Sequence, residues 1–182
     1  MRPQSLGMFC TRLSNAQQRS IVALKAFDSR LFAVYIERLP LSLDRGLNSP
    51  FQPSDVSIIL RDISSAFAYL ETQGIAHNDI KPANITYSRQ RGAVLIDFEM
   101  ARFTNGDQSS GGTPWYLPPE FAISQKNRGA PGDVWALGVT MLYVLRKVGL
   151  PERAVGSWRI HAVADKNREA RRQMTAWINS VT

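Results

Sequence analysis

Hydrophobic and polar positions first alternate in a way that is typical of β-strands. The segments "SIVALKAF" (20–27) and "RLFAVYIE" (30–37) are rich in β-branched and aromatic residues. Asp28 and Ser29 separate them, so the two segments are predicted to form a β-hairpin. Residues 1–19 are polar and carry no such pattern, and we interpret them as a candidate mobile arm.

A helical period follows the hairpin. Apolar residues recur on one face of a helix predicted over residues 54–74, at positions 56, 59, 60, 63, 66, 67 and 70. Ser54 is the predicted N-cap, and Gly74 is the predicted C-terminal cap residue. The remaining predicted elements are a short buried strand that runs into a turn (93–101), a loop (103–119), an apolar helix from Gly132 or Asp133 to about Lys147, and an amphipathic helical region (157–181).

Length and composition are those of an ordinary globular domain. The chain has 182 residues, of which 44% are hydrophobic and 20% are charged, so residues 20–182 are expected to form one domain with a real core. Its formal net charge of +7 favours acidic or phosphorylated partners. The basic residues are scattered and are not interleaved with aromatic residues, so nucleic acid is not expected as a partner.

The location of the protein is expected to be intracellular, either cytoplasmic or nuclear. Cys10 is the single cysteine, which excludes an internal disulfide framework and suits a reducing compartment. The first residues lack the apolar core of a secretory signal. The longest apolar stretch, residues 136–145, is shorter than the ~18 residues that can span a bilayer, so no membrane is expected as a partner.

Four motifs occur in a fixed order along the chain. They are "HNDIKPAN" (77–84), "IDFEMA" (96–101), "GGTPWYLPPE" (111–120) and "GDVWALG" (132–138). A single Asp or Asn in a turn is usually a cap, but the combination resembles the protein kinase superfamily over roughly residues 30–145. The motifs match, in order, its catalytic loop, its Asp-Phe-Gly motif, its Ala-Pro-Glu motif and the start of its central helix.

The resemblance implies an α+β, protein kinase-like fold. Residues 40–182 would form a mostly helical C-terminal lobe, and residues 20–39 would be a hairpin and hinge remnant of the N-terminal lobe. The expected activity is transfer of the γ-phosphate of ATP, with Mg²⁺, to Ser or Thr of a protein substrate. The same lobe is alternatively the scaffold of a catalytically impaired pseudokinase or kinase fragment that binds a nucleotide or a protein partner.

The resemblance also assigns the chemistry to four residues. Asp79 would orient the attacking hydroxyl and accept its proton, while Lys81 would stabilise charge on the phosphate oxygens. Asn84 and Asp97 would bind the metal, since Mg²⁺ prefers oxygen ligands. Lys81 at this position is typical of the Ser/Thr-specific protein kinases.

Ten further residues receive binding or structural roles from the resemblance. The adenine base would be contacted by the hinge residues Ile36, Glu37 and Leu39, and the peptide would dock near Asp79 on Gly112, Thr113 and Tyr116. The other four would be structural. The His77 ring would pack on the Phe98 ring, Glu120 would pair with a late arginine such as Arg171 or Arg172, and Asp133 would hold the catalytic-loop backbone.

The sequence departs from the family pattern in ways that predict weak activity. It contains no Gly-x-Gly-x-x-Gly, and Lys25 in "VALK" is interpreted as a hairpin residue in preference to a phosphate anchor. Glu99 replaces the Gly of Asp-Phe-Gly, which restricts the backbone and adds negative charge near the metal. Asn78 replaces the Arg that receives a phosphorylated activation loop. Trp158 and Trp177 are interpreted as core anchors, or else as a partner surface.

Overall fold

The computed structural model describes residues 18–28, 30–31, 33–45, 49–106, 111–124, 129–154 and 158–182. Of the predicted arm, residues 1–19, the first 17 residues lie outside the described part of the chain.

Short strands and helices alternate along these residues, which confirms the α+β class. The strands are β1 (Leu24–Asp28), β2 (Ala33–Ile36), β3 (Ile75–Ala76), β4 (Ile85–Ser88), β5 (Gly92–Leu95) and β6 (Arg102–Phe103). The helices are α1 (Val56–Thr72), α2 (Ala130–Val144), α3 (Pro151–Ala154), α4 (Ile160–Ala164) and α5 (Arg168–Val181). Single turns of 3₁₀ helix occupy Pro53–Asp55, Pro82–Asn84, Phe98–Met100, Pro114–Tyr116 and Pro119–Ala122.

The strands form three antiparallel pairs, β1 with β2, β3 with β6, and β4 with β5. The predicted hairpin is therefore present as β1 and β2. Two isolated bridges join the β4–β5 pair to the preceding chain, one between Ile21 and Leu95 and one between Ser42 and Thr86. The β4–β5 pair, which follows α1, is thus joined to the chain on both sides of the β1–β2 hairpin.

Helix α1 has the predicted apolar face but a different N-terminus. Ile59, Ile63 and Leu70 are buried, as the helical period indicates. The prediction of Ser54 as N-cap is wrong, because Asp55 is the residue before α1 and its carboxylate accepts the N–H of Gln52 at 2.9 Å. That contact closes a tight 3₁₀ turn ahead of the helix, which moves the first α-helical residue past Ser54.

The C-terminal half is built around α2. This helix is largely buried and begins at Ala130, slightly earlier than predicted. The region predicted as one amphipathic segment is instead two helices, α4 and α5, because Lys166 adopts a left-handed conformation (φ 61°) between them. Asn167 then caps α5 by accepting the N–H of Ala170 at 3.0 Å. Met174 and Trp177 are buried against the core.

Among the described helices, none combines the length and the apolar character that a membrane-spanning segment needs.

Candidate active site

The motif at residues 77–84 is an irregular loop between β3 and β4, and Asp133 fixes its start. The carboxylate of Asp133 is buried at the N-terminal end of α2. Its Oδ2 accepts the backbone N–H of His77 at 2.7 Å, and its Oδ1 accepts that of Asn78 at 2.8 Å. A loop backbone has no ladder to satisfy its donors, so this carboxylate supplies the acceptors that make the loop conformation stable.

Three polar side chains meet at the carboxylate of Asp79. Its Oδ2 accepts hydrogen bonds from Lys81 Nζ at 2.7 Å and from Asn84 Nδ2 at 3.0 Å. Its Oδ1 accepts the hydroxyl hydrogen of Thr113 at 2.7 Å, and Lys81 Nζ also donates to that hydroxyl at 2.9 Å. The segment around Thr113 is thereby held against the loop. We call these four residues the Asp79 cluster.

Lys81 keeps one hydrogen-bond donor that the Asp79 cluster does not use. The Lys81 side chain is 21% exposed and that of Asp79 is 10% exposed, so their ion pair is only partly screened by water. An ammonium group has three donors, and Asp79 and Thr113 take two of them. The third donor is available to an oxygen that approaches from the exposed side.

A backbone hydrogen bond between Ile96 and Asn84 brings Asp97 close to Asn84. Asn84 turns its Nδ2 towards Asp79, which directs its Oδ1 away from that carboxylate. Ile96 donates its N–H to the Asn84 carbonyl at 3.0 Å, so Asp97, the next residue, starts beside Asn84. Asp97 is exposed and adopts a left-handed conformation (φ 62°).

This donor set fits Mg²⁺. An amide oxygen and a carboxylate are the hard oxygen ligands that Mg²⁺ prefers, and Mg²⁺ usually keeps several of its waters. The described part of the chain contains no group of three or more His, Cys, Asp or Glu side chains that could hold a metal ion. Asn84 and Asp97 would therefore bind the cation together with water and substrate oxygens.

Glu99 does not need the conformational freedom of glycine. It lies in the 3₁₀ turn Phe98–Met100, and it is not among the described non-glycine residues with positive φ. The left-handed residue of this motif is Asp97, whose carboxylate accepts the Glu99 N–H at 3.4 Å. The restriction of the backbone by a side chain at position 99 is therefore no obstacle to this conformation. The added negative charge is real, since the Glu99 side chain is exposed next to Asp97.

His77 connects the loop to the segment around Phe98. Its ring is fully buried and packs edge-on against the Phe98 ring, with centroids 4.8 Å apart. Its Nδ1 accepts the Asp79 N–H at 3.3 Å, which places the ring hydrogen on Nε2, 2.9 Å from the Ile96 carbonyl. His77 thus positions two backbone segments and is not exposed for proton transfer.

Asn78 has a structural role that the sequence does not predict. Its Oδ1 accepts the N–H of Gly129 at 3.2 Å, and its Nδ2 donates to the Met100 carbonyl at 3.4 Å. The side chain therefore links the loop to the start of α2 and to the chain after Glu99. The structure gives Asn78 a φ of 64°, and the only signal in the sequence is the residue type, because Asn tolerates the left-handed region better than most residues.

The predicted hinge residues lie at the end of β2 and directly after it. Glu37 donates its N–H to the Ala23 carbonyl at 3.0 Å, and its Oε1 accepts the Ala23 N–H at 2.9 Å and an Arg91 N–H at 3.1 Å. Burial acts to raise the pKa of Glu37, but these hydrogen bonds and the Arg91 charge outweigh it and hold the pKa below the ordinary value. Ile36 is half exposed and Leu39 is partly buried.

The segment after Thr113 is fixed by buried aromatic residues. Gly112 precedes Thr113 with φ 121°, a conformation that favours glycine. Tyr116 is buried and its hydroxyl donates to Glu152 Oε2 at 3.1 Å; burial, then the Glu152 charge, raises the tyrosine pKa. The Trp115 carbonyl accepts the indole N–H of Trp177 at 2.7 Å.

The C-terminal helices support this segment. The rings of Trp115 and Trp158 pack edge-on with centroids 5.9 Å apart, and both Trp158 and Trp177 are buried, so they are core anchors and not a partner surface. Glu120 is exposed in the turn that follows. Arg171 donates to the Ala122 carbonyl at 2.7 Å, which ties α5 to the same turn.

Comparison with known proteins identifies relatives for this arrangement. A family model described as the protein kinase domain matches residues 10–176. The serine/threonine-protein kinase kin-29 of Caenorhabditis elegans is 38% identical over 93 residues, which are 50% of this chain and 11% of that protein. The calcium/calmodulin-dependent protein kinase cmkB of Emericella nidulans is 30% identical over 64% of this chain and 31% of that protein. The matched stretches thus span about a third or less of these two relatives.

The fold also has a solved counterpart. The crystal structure of the yeast RNA Pol II CTD kinase CTDK-1 complex contains a chain that aligns with a TM-score of 0.69 at 19% identity. The alignment covers 86% of this chain and 53% of that chain, which confirms the protein kinase-like fold. The family match covers far more than half of the sequence and includes all four motifs. The chain belongs to the eukaryotic-type protein kinase superfamily.

Proposed function

We propose that the protein transfers the γ-phosphate of Mg²⁺–ATP to Ser or Thr of a protein substrate. The observation that carries the proposal is the Asp79 cluster, in which Lys81 and Thr113 each bind the other and the Asp79 carboxylate. A carboxylate, an ammonium and an amide from one short loop meet a hydroxyl from a separate segment. Such an arrangement can hold an acceptor hydroxyl and a phosphate in one place.

Each residue has a distinct part in the reaction. Asp79 orients the acceptor hydroxyl and takes its proton as the new oxygen–phosphorus bond forms and the bond to the ADP oxygen breaks. Lys81 stabilises charge on the phosphate oxygens with the donor that it does not use within the cluster. Asn84 and Asp97 would hold Mg²⁺, which would neutralise charge at the phosphates.

Substrate and nucleotide contacts belong to the same proposal. Thr113 links the segment 111–120 to Asp79, so a peptide that lies along this segment would present its hydroxyl to the carboxylate. The Glu37 carbonyl and the backbone of Leu39 would contact adenine, with Ile36 behind the base. The Glu37 N–H is already bound to Ala23, so it takes no part. The expected partners are therefore protein substrates or other proteins.

A second candidate is a catalytically impaired kinase-like scaffold that binds nucleotide or protein. Glu99 favours it, because this exposed carboxylate adds negative charge beside Asp97, where the phosphates of the nucleotide would lie. The sequence also lacks the Gly-x-Gly-x-x-Gly motif that covers phosphates in active members of the family.

The experiment is a transfer assay on the whole chain with labelled ATP, Mg²⁺ and a generic basic protein. The test variant is Asp79→Asn, which keeps the shape of the side chain but removes the proton acceptor. The matched control is Asp165→Asn, an exposed position at the end of α4. Transfer that disappears in the test variant alone supports the enzyme. Equal background in all three proteins overturns it, and a rise in thermal midpoint with Mg²⁺–ATP would then support the scaffold.

A further inference from the structure

A groove lined by four arginines lies apart from the Asp79 cluster. Arg19 comes from the segment before Ile21, Arg61 from the middle of α1, and Arg89 and Arg91 from the turn between β4 and β5. The groove has a volume of about 570 Å³, and none of its lining residues belongs to the Asp79 cluster. Arginines from three separate segments therefore converge on one recess.

The wall on the N-terminal side is held in place by direct hydrogen bonds. Gln18 donates its side-chain N–H to the Ser65 carbonyl at 2.9 Å and to the Ser65 hydroxyl at 3.0 Å. Arg91 donates to the Arg19 carbonyl at 2.6 Å and to Glu37 at 3.1 Å. These contacts join the N-terminal segment to α1 and to the β4–β5 turn, so the recess is part of the folded domain.

The floor of the groove is fixed by Asp62. Its Oδ2 accepts the backbone N–H of Ala93 at 3.0 Å. Gly92 has φ 80°, and a Cβ at this position would lie 2.5 Å from Asp62 Oδ2, so the turn and α1 are in close contact here. A side chain at position 92 would separate the two walls.

Two of the arginines that line the groove are more exposed to solvent than the carboxylates with which they pair. Arg61 pairs with Asp62 at 2.8 Å and Arg89 pairs with Asp55 at 3.3 Å. The arginine side chains are 72% and 67% exposed, whereas Asp62 and Asp55 are 14% and 7% exposed. The carboxylates therefore lie beneath the guanidinium groups. Because a guanidinium has five donors, each arginine keeps N–H groups that face solvent.

We infer that this groove binds a phosphorylated segment of a partner protein, with Arg61 and Arg89 as the main phosphate contacts. A peptide carboxylate would exchange with the carboxylates already present and gain little, since exposed ion pairs are worth little. A phosphate group brings about two negative charges and three acceptor oxygens, so one group can engage two guanidinium groups at once. Arginine clusters are a recurring solution for binding phosphorylated motifs.

The shape and lining of the groove argue against other anionic partners. No aromatic residue lines it within the described chain, so nucleic-acid bases have no ring on which to stack. Its recessed form suits a chain segment and not a flat lipid surface. The inference goes beyond the proposed transfer activity and does not depend on it.

The test measures binding by the whole chain without ATP, so that it is independent of phosphoryl transfer. The probe is a fluorescein-labelled peptide of Ala, Gly and Ser with one central phosphoserine, and its anisotropy is titrated with protein at low salt. The same peptide with Ser, the same peptide with Glu, and a thymidine oligonucleotide of equal length are the comparison probes. We expect the phosphopeptide to bind at least about tenfold more tightly than each of them.

Arginine variants locate the site. Arg61→Gln and Arg89→Gln should each weaken phosphopeptide binding about fivefold to tenfold, because each removes donors to a charged group. Arg172→Gln, an exposed position on α5, has the same change in net charge and should leave binding unchanged. Equal thermal midpoints establish that the variants are folded.

Four outcomes would overturn the inference. They are equal binding of the Ser and phosphoserine peptides, equal binding of the Glu peptide, tighter binding of the oligonucleotide, and an equal loss of binding in the Arg172→Gln control.

Discussion

The hydroxyl of Thr113 donates to Oδ1 of Asp79 at 2.7 Å and accepts from Lys81 at 2.9 Å. This single hydroxyl joins the segment 111–120 to the loop that carries the proposed proton acceptor. We expect Thr113→Ala to reduce phosphoryl transfer about tenfold to hundredfold, since a hydrogen bond to a charged group is worth about 1.5–3 kcal/mol. Initial rates with labelled ATP measure the effect. Thr113→Ser keeps the hydroxyl and should retain most of the rate, and equal rates for both variants would contradict the role of the hydroxyl.

At position 99 we expect charge, not backbone conformation, to limit transfer. The φ of Glu99 is not in the left-handed region, so a glycine gains no conformation that Glu99 lacks. Glu99→Gln and Glu99→Gly should therefore raise the transfer rate by similar amounts, because both remove the charge beside Asp97. The rates are compared at equal Mg²⁺ and ATP. A gain in the glycine variant alone would show that the backbone is the obstacle after all.

The Asn78 side chain is expected to stabilise the fold through its hydrogen bonds. Asn78→Gly keeps the left-handed conformation but leaves the Gly129 N–H without this acceptor, so we expect a loss of about 1–3 kcal/mol in the free energy of unfolding. Asn78→Ala loses the same bond and adds a less favourable conformation, so its loss should be larger. Urea unfolding of the two variants separates the contribution of the hydrogen bond from that of the backbone conformation. A wild-type midpoint for Asn78→Gly would show that this hydrogen bond contributes nothing.

The indole N–H of Trp177 is expected to hold the segment 113–117 through the Trp115 carbonyl. Trp177→Phe keeps an aromatic ring and removes this donor, so we expect a destabilisation of about 1–3 kcal/mol. Trp135→Phe is the matched control, because the Trp135 indole N–H has no hydrogen-bond partner among the described residues. Thermal unfolding compares the two. If both variants lose the same stability, ring volume and not the hydrogen bond is responsible.

The stability of the protein should depend on Glu37 in acid. The pKa of Glu37 lies below its ordinary value of 4.5: burial raises it, and the Ala23 N–H and Arg91 more than offset that effect. A carboxyl group with a lowered folded pKa stabilises the fold fully above its unfolded pKa, and this contribution is lost as the pH falls through the folded value. The advantage of wild type over Glu37→Gln should therefore be constant near neutrality and shrink below pH 4.5.

Urea unfolding at a series of pH values measures this difference. Glu169→Gln, at an exposed position in α5, is the control and should show no such trend. A difference between wild type and Glu37→Gln that stays the same at every pH would rule out the ionised pair with Arg91 as its source.

The sequence predicts those parts of the molecule that rest on local periodicity or on a motif. The apolar face of α1 and the cap at Gly74 follow from spacing and from glycine chemistry, and both are present. The resemblance of the motif at 77–84 to the family's catalytic loop also led to Asp79, Lys81 and Asn84 as a group, and the structure places them within hydrogen-bond distance. Their chemical roles remain predictions.

The features that the sequence did not predict depend on particular side-chain contacts. Ser54 has the composition of a helix cap, but it lies inside the 3₁₀ turn Pro53–Asp55, where the Asp55 carboxylate accepts the Gln52 N–H. The break between α4 and α5 lies at Lys166, whose backbone is in the left-handed conformation. A lysine is not a residue type that indicates such a break in the sequence. The bond from Trp177 to Trp115 joins residues far apart in the chain, so no local pattern indicates it.

Ile96 gives its N–H to Asn84 and lies with its carbonyl 2.9 Å from His77 Nε2, so both of its backbone polar groups are bound to the loop that carries Asp79. The proposed cation ligands and the proposed proton acceptor are therefore held to one hydrogen-bonded stretch of backbone, and main-chain geometry sets the spacing between them. In the proposed reaction, entry of the nucleotide and departure of the product would then depend on movement of the parts around this backbone, the β1–β2 hairpin and the segment around Thr113.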